Sequence, residues 1–150
     1  MDRRQQIRMS EAELAAFLKA QQTLTCATLD PEDRPHLAAL WYVPADGRLD
    51  CWTYAASQKA RNLERDPRAT LLTETGTTYQ ELRKVSMECD AELVRDPEQV
   101  LDMGVALAAR HGGRPGPELR AALAPQAAKR VGIRFHPTRV SSWDHRKLGG

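Results

Sequence analysis

Thr23-Leu-Thr-Cys-Ala-Thr-Leu-Asp-Pro-Glu-Asp-Arg-Pro-His-Leu-Ala-Ala-Leu-Trp-Tyr-Val-Pro-Ala-Asp-Gly-Arg-Leu-Asp-Cys-Trp-Thr-Tyr54 holds three extended runs separated only by turns. Thr23 to Leu29 is β-branched and apolar, and Asp30-Pro-Glu-Asp33 reads as a turn. Pro35 to Val43 is a second strand. Asp46-Gly47 then signals a hairpin into a third strand, Arg48 to Tyr54, because this dipeptide tolerates the positive φ that a tight turn needs. Parallel strands need a crossover of a dozen or more residues, and none fits between these runs. The sheet must therefore be antiparallel.

Working outward, Met9-Ser-Glu-Ala-Glu-Leu14 starts a helix. Ser10 and Glu13 have capping-box spacing, Met9 and Leu14 stand at staple positions, and Leu14, Phe17 and Leu18 make one apolar stripe. On the other side, Ser57 to Arg65 is a short helix closed by Asp66-Pro67. Ala69 to Glu74 is a fourth strand. In the fifth, Val85, Met87, Cys89, Ala91 and Leu93 alternate with Ser86, Glu88, Asp90 and Glu92, giving one buried and one wet face. Asp96-Pro97 opens a helix that stops at Gly112-Gly113, and Pro117 to Ala128 is a weaker, Ala-rich one. Arg130 to Ser142 is the sixth strand. The expectation is a mainly β (α+β) fold, a six-stranded antiparallel barrel with peripheral helices, in a single domain over residues 1–150.

The 150 residues suffice for one core, and folding at this size buries roughly 70% of the unfolded surface, so no staple is needed. The net charge of +2 comes from 22 Lys plus Arg against 20 Asp plus Glu. It is too small to steer the whole chain toward nucleic acid or an anionic membrane. Five of those cations are lysines. Cys26, Cys51 and Cys89 are odd in number and widely spaced, which disfavours a disulfide framework and a zinc site. Met1 to Arg8 is polar and no 18-residue apolar run occurs, so the expectation is a cytoplasmic chain without signal peptide or membrane span.

The nucleotide, nucleophile-elbow and metalloprotease motifs are all absent, and His36, His111, His136 and His145 are scattered. Each cysteine takes an alternating strand position that suits an inert hydrophobe. An enzyme with so short an inventory takes its chemistry from a cofactor. Ser57-Gln-Lys-Ala-Arg-Asn-Leu-Glu-Arg-Asp-Pro-Arg68 begins a helix straight after a strand, where free N–H groups and the positive dipole end meet. Lys59 in the first turn opposes that dipole. Lys59 and Asn62 share a face with Ser57 at the lip, and a bound anion would account for the placement; a solvated basic helix would too. Between Lys129 and Lys147 lie six Lys or Arg with His136 and His145 against one acid, Asp144. Trp143 and Leu148 favour a tail docked on its own domain or on a second subunit. Of Trp41 and Tyr42, alternation sends one ring inward and the other outward.

These motifs resemble the split β-barrel flavin and deazaflavin oxidoreductases of the pyridoxamine 5'-phosphate oxidase-like superfamily, closest to its actinobacterial group that uses the deazaflavin coenzyme F420. The residues that carry the likeness are Pro35 to Val43, Ser57 to Leu63 with Arg65 to Arg68, Tyr79 with Leu82-Arg83, Lys129 to Val131, and Ser142 to Leu148. The resemblance implies a split barrel of the FMN-binding type and a homodimer with cofactor grooves between subunits. Ser57, Lys59 and Asn62, with Arg61, would hold the cofactor phosphate. Leu40, Trp41 and Tyr42, with Trp52 to Tyr54 (Thr53 among them), would lie along the ring, and Trp143, His145, Arg146 and Lys147 would close the partner's groove. The implied reaction is hydride transfer from reduced F420 to an unsaturated or quinone-like small molecule. FMN is the alternative cofactor; a non-catalytic flavin or haem protein, with His36, His111 or His136 as axial ligand, is another reading. No partner among nucleic acids, membranes or metals is expected.

Overall fold

The computed structural model describes residues 2–149. The chain runs through α1 (Arg3–Ile7), α2 (Glu11–Ala20), β1 (Thr23–Leu29), β2 (Pro35–Trp41), β3 (Val43–Ala45), β4 (Arg48–Tyr54), α3 (Gln58–Arg65), β5 (Arg68–Thr75), β6 (Arg83–Val94), α4 (Pro97–Arg110), α5 (Pro117–Ala127) and β7 (Arg130–Asp144). Short 3-10 turns follow at Tyr79–Glu81, before β6, and at His145–Leu148, after β7. The seven strands form one sheet in the order β2-β1-β5-β6-β7-β4-β3, antiparallel at every pairing.

The expected six strands are seven, because the run Pro35 to Val43 is two strands. β2 pairs with β1 as far as Trp41↔Thr23, whereas Val43 already pairs with Asp50 of β4. Between them Tyr42 is wholly buried, and its hydroxyl donates to Leu18 O at 2.6 Å. One residue thus carries the chain from one edge of the sheet to the other and draws the two edges together. Trp41, next to it, is 56% exposed, so the expected one-in, one-out alternation holds.

Inward positions of the curled sheet (Leu24, Cys26, Leu71, Val85, Met87, Cys89, Ile133 and Phe135) form one core with Tyr42. Phe17 and Leu18 of α2 and Leu63 of α3 close it. The capping box of α2 is present: Ser10 Oγ accepts from Glu13 N–H at 3.1 Å and Glu13 Oε1 from Ser10 N–H at 3.0 Å. α4 lies on the outer face of β4 and β7, where Trp52 packs against Gly104 so closely that a Cβ there would come within 2.3 Å of the indole. α1 was not expected from so polar a segment; Asp2 caps it and Ile7 is its buried residue.

Candidate anion-binding site at the start of α3

β4 runs into α3 through a tight turn, with Ser57 N–H donating to Tyr54 O at 3.0 Å. Ser57 is the N-cap: its hydroxyl accepts from Ala60 N–H at 3.2 Å and from Thr53 Oγ1 at 3.4 Å. Among the described residues the N–H groups of Gln58 and Lys59 find no acceptor, so two helix-end donors stay free. The first turn contains no acidic residue, and Lys59 and Arg61 have no carboxylate partner among the described residues. Lys59 is half-buried while Arg61 is exposed. Burial pushes the Cys26 thiol up to about 12 against a small opposing pull from the Lys59 charge, which also reaches Cys51. A helix end with free N–H groups, a hydroxyl and an uncompensated cation is suited to an anion.

Asn62 shares this face but is fully buried. Its amide donates to Thr28 Oγ1 at 3.0 Å and accepts from Gln58 Nε2 at 2.7 Å, so it ties α3 to β1 and its polar atoms are engaged inside the chain. Thr28 and Gln58 are the residues that sequence reasoning missed. The signal for Thr28 was its place in the inward alternation after Leu24 and Cys26.

The strand residues expected along a cofactor ring lie on different faces. Leu40 packs against the core and Thr53 is buried beside Ser57. Trp52 is under α4. Trp41 faces outward, its ring stacked on His111 at 3.7 Å and 14°. Burial lowers the pKa of His111, and its Nε2 is buried without a partner. His36 Nδ1 is likewise unpartnered, whereas His136 Nε2 meets Glu92 at 2.9 Å.

The basic carboxyl end docks on its own domain. Arg146 makes a two-pronged pair with buried Asp144 at 2.9 and 2.7 Å. Lys147 donates to Glu13 Oε1 at 2.8 Å and to Arg8 O at 2.7 Å. These two cations are thus compensated within the chain. His145 Nδ1 meets Tyr79 O at 2.9 Å, and Trp143 lies under the Lys84 ammonium, 3.5 Å from its ring centroid. Trp143 and His145 line a pocket of about 260 Å³ with Leu72 and Lys84.

The family model described as pyridoxamine 5'-phosphate oxidase matches residues 10–144. The chain belongs to the pyridoxamine 5'-phosphate oxidase family. Within its fold, a conserved hypothetical protein from Mycobacterium tuberculosis, Rv2991, is 45% identical, with a TM-score of 0.93 over 100% of this chain and 94% of that one. An F420 reductase has the same fold at 22% identity and a TM-score of 0.66, covering 84% of this chain and 94% of that one. So does the haem storage protein HutZ of Vibrio cholerae, at 21% identity and a TM-score of 0.69, covering 88% and 94%. No curated protein matches the sequence. Among the described residues no helix is long and apolar enough to cross a membrane, and no cluster of His, Cys, Asp or Glu is arranged to hold a metal.

Proposed function

We propose that this protein is an oxidoreductase that binds the deazaflavin coenzyme F420 as a homodimer and delivers hydride to an unsaturated or quinone-like small molecule. The observation that carries the reading is the acid-free start of α3, with free N–H groups at Gln58 and Lys59 and no carboxylate on the Lys59 ammonium. Ser57, Lys59 and Arg61 would hold the cofactor phosphate, and Asn62 would fix α3 in place for them. The bound deazaflavin would supply the hydride chemistry. The F420 reductase among the structural relatives supports this choice of cofactor.

The homodimer reading rests on the outer face of β2, β1, β5 and β6, where Leu37 and Trp41 are exposed. Cross-strand register aligns Ala39, Thr25, Leu72 and Ser86 in one row and Leu37, Ala27, Thr70 and Glu88 in the next. Leu37 is 66% exposed and Trp41 ends the same strand, so the β2–β1 end of this face presents exposed apolar side chains, with Glu88 at its β6 end. Buried against a second copy, that patch would make the wall of a groove into which Trp41, Trp143 and His145 would project.

The test is fluorescence titration with F420, FMN and haem. Tight F420 binding with weak FMN binding supports the proposal; FMN binding alone, or a haem Soret band without F420 binding, overturns the choice of cofactor. A phosphate anchor binds ground and transition states alike, so Lys59→Ala should weaken cofactor affinity by about tenfold and leave turnover at saturating cofactor nearly unchanged. Normal affinity in Lys59→Ala would remove the anchor.

A further inference from the structure

At the end of β4 remote from α3, the barrel holds an open cavity of about 380 Å³ between α2, the β3–β4 hairpin and β7. Its floor belongs to the core: Leu18 of α2, Leu49 of β4 and Met87 of β6 are all buried. A β-bulge shapes the β7 wall. Cys89 pairs with Pro137 and Glu88 with Arg139, so Thr138 is the extra residue, held by its hydroxyl donating to Glu88 O at 3.1 Å. On a regular strand Pro137 and Val140, three residues apart, would point to opposite faces. The bulge brings both to the face of Cys89 and Met87, their cross-strand partners. Val140 thus points into the barrel opposite buried Met87, and yet it is 41% exposed. An inward apolar side chain left that open lines a space that the described residues do not fill.

The rim of this cavity is charged, and its balance is negative. Glu11 lines it from the first turn of α2, and Asp46 from the hairpin turn. Arg48 is the one cation on the lining among the described residues, and it is already committed. Its Nε and Nη2 donate to the two oxygens of Asp50 at 2.8 and 3.3 Å, and its Nη1 lies 3.6 Å from Asp46. Glu11 has no cationic partner among the described residues. Nearby cations are engaged with other acids: Lys147 with Glu13 at 2.8 Å and Arg139 with Glu88 at 3.8 Å. An anion entering here would be repelled by Glu11 and Asp46, whereas a cation at the rim would be drawn to both.

We infer that this cavity binds a small amphiphilic amine, with its apolar body on Leu18, Leu49 and Met87 and its ammonium at the rim beside Glu11 and Asp46. Small-molecule sites are commonly preformed apolar hollows of about 300–1,000 Å³ with a few polar groups, and the mouths of β-barrels are among their usual places. The cavity shares no residue with the α3 start, so the inference stands whether or not that seat holds a cofactor.

Calorimetric titration of the whole protein with n-octylammonium, n-octanol and n-octanoate, each below its micellar concentration, tests it. Octylammonium should bind about fivefold tighter than octanol, because two exposed carboxylates each add a modest attraction, and octanoate should bind weakest. Lengthening the amine from hexyl to octyl should tighten binding by about tenfold, as two more methylenes leave water. Glu11→Gln with Asp46→Asn should abolish the preference for the amine and leave octanol unchanged; asparagine tolerates the positive φ of 47° at position 46. Val140→Phe, which fills the hollow, should weaken all three ligands by about tenfold or more. Should that chain fail to fold, Ala15→Phe, at an exposed position of the α2 wall, blocks the cavity in its place. Absence of amine binding, octanoate binding as tightly as the amine, or amine binding that neither the rim pair nor the filling variant weakens overturns the inference. A lower oligomeric state of Val140→Phe in sedimentation, with no amine bound by the unaltered protein, would instead assign the cavity to a second copy of the chain.

Discussion

Arg110, at the last position of α4, serves the end of α2 and the strand switch together, and replacing it should cost the fold dearly. Its Nη2 donates to Leu18 O at 3.0 Å, Lys19 O at 2.8 Å and Gln21 O at 2.5 Å, and its Nη1 to Tyr42 O. The guanidinium also lies 4.7 Å from the Tyr42 ring centroid. α2 ends on an extended Gln21 without a glycine cap, so these carbonyls depend on the arginine for donors. One Nη2 has two hydrogens for three acceptors, so its two bonds alone, leaving aside the one from Nη1 to Tyr42 O, set the minimum count of charge-assisted bonds. At about 1.5–2 kcal/mol each, Arg110→Met should destabilise by about 3–4 kcal/mol. For a chain of this size that corresponds to about 6–16 °C in Tm. Urea unfolding followed by tryptophan fluorescence measures it. Arg110→Lys, with its donors on a single nitrogen, should fall in between. A loss below about 1 kcal/mol for Arg110→Met would refute the view that this side chain holds three elements together.

Further outcomes are open to measurement. Gly104→Ala should destabilise by about 1–3 kcal/mol in the same unfolding experiment, because the added methyl collides with the Trp52 indole. Cys26 and Cys89 thiols are pushed up to about 12 by burial and Cys51 is raised as well, so Ellman's reagent at pH 8 should find no reactive thiol in the native protein and three after denaturation. The Glu13 carboxyl is held at about 2 by hydrogen bonds from Lys147 and then from Ser10. Since this lies below its ordinary 4.5, the stabilisation is complete above that value and is lost as pH falls toward about 2. Protection of the Lys147 and Leu148 amides, measured against their intrinsic exchange at each pH, should therefore fall across that window.

Local rules made much of this fold legible. The Ser10–Glu13 box, the Asp46-Gly47 hairpin, the Ser57 cap and the Asp96-Pro97 start each depend on residues within one turn of each other, and each forms as read. The break at Tyr42 was hidden because it is a change of neighbour: the run from Leu37 to Val43 carries no turn signal, and only the competing claims of β1 and β4 divide it. At the candidate site, Ser57 and Lys59 could be placed from position in the helix alone. The inward commitment of Asn62 could not, since it depends on Thr28, 34 residues away in the chain. The ion pairs of Arg146 and Lys147 were equally out of reach, because Glu13 meets Lys147 only once the barrel has formed.

The place of β7 in the sheet order bears on how the molecule is assembled. β7 is the last strand in sequence, yet it lies between β6 and β4. Before it joins, the chain has two separate β-ribbons, β2-β1-β5-β6 and β4-β3, tethered through Tyr42 and each with a bare edge. On the ribosome those edges stay open until β7 has emerged, so this interval is the time of greatest risk of edge-to-edge aggregation. Pairings as remote in sequence as Leu49 with Phe135 also predict slow folding, with closure of β7 onto both ribbons as its late step.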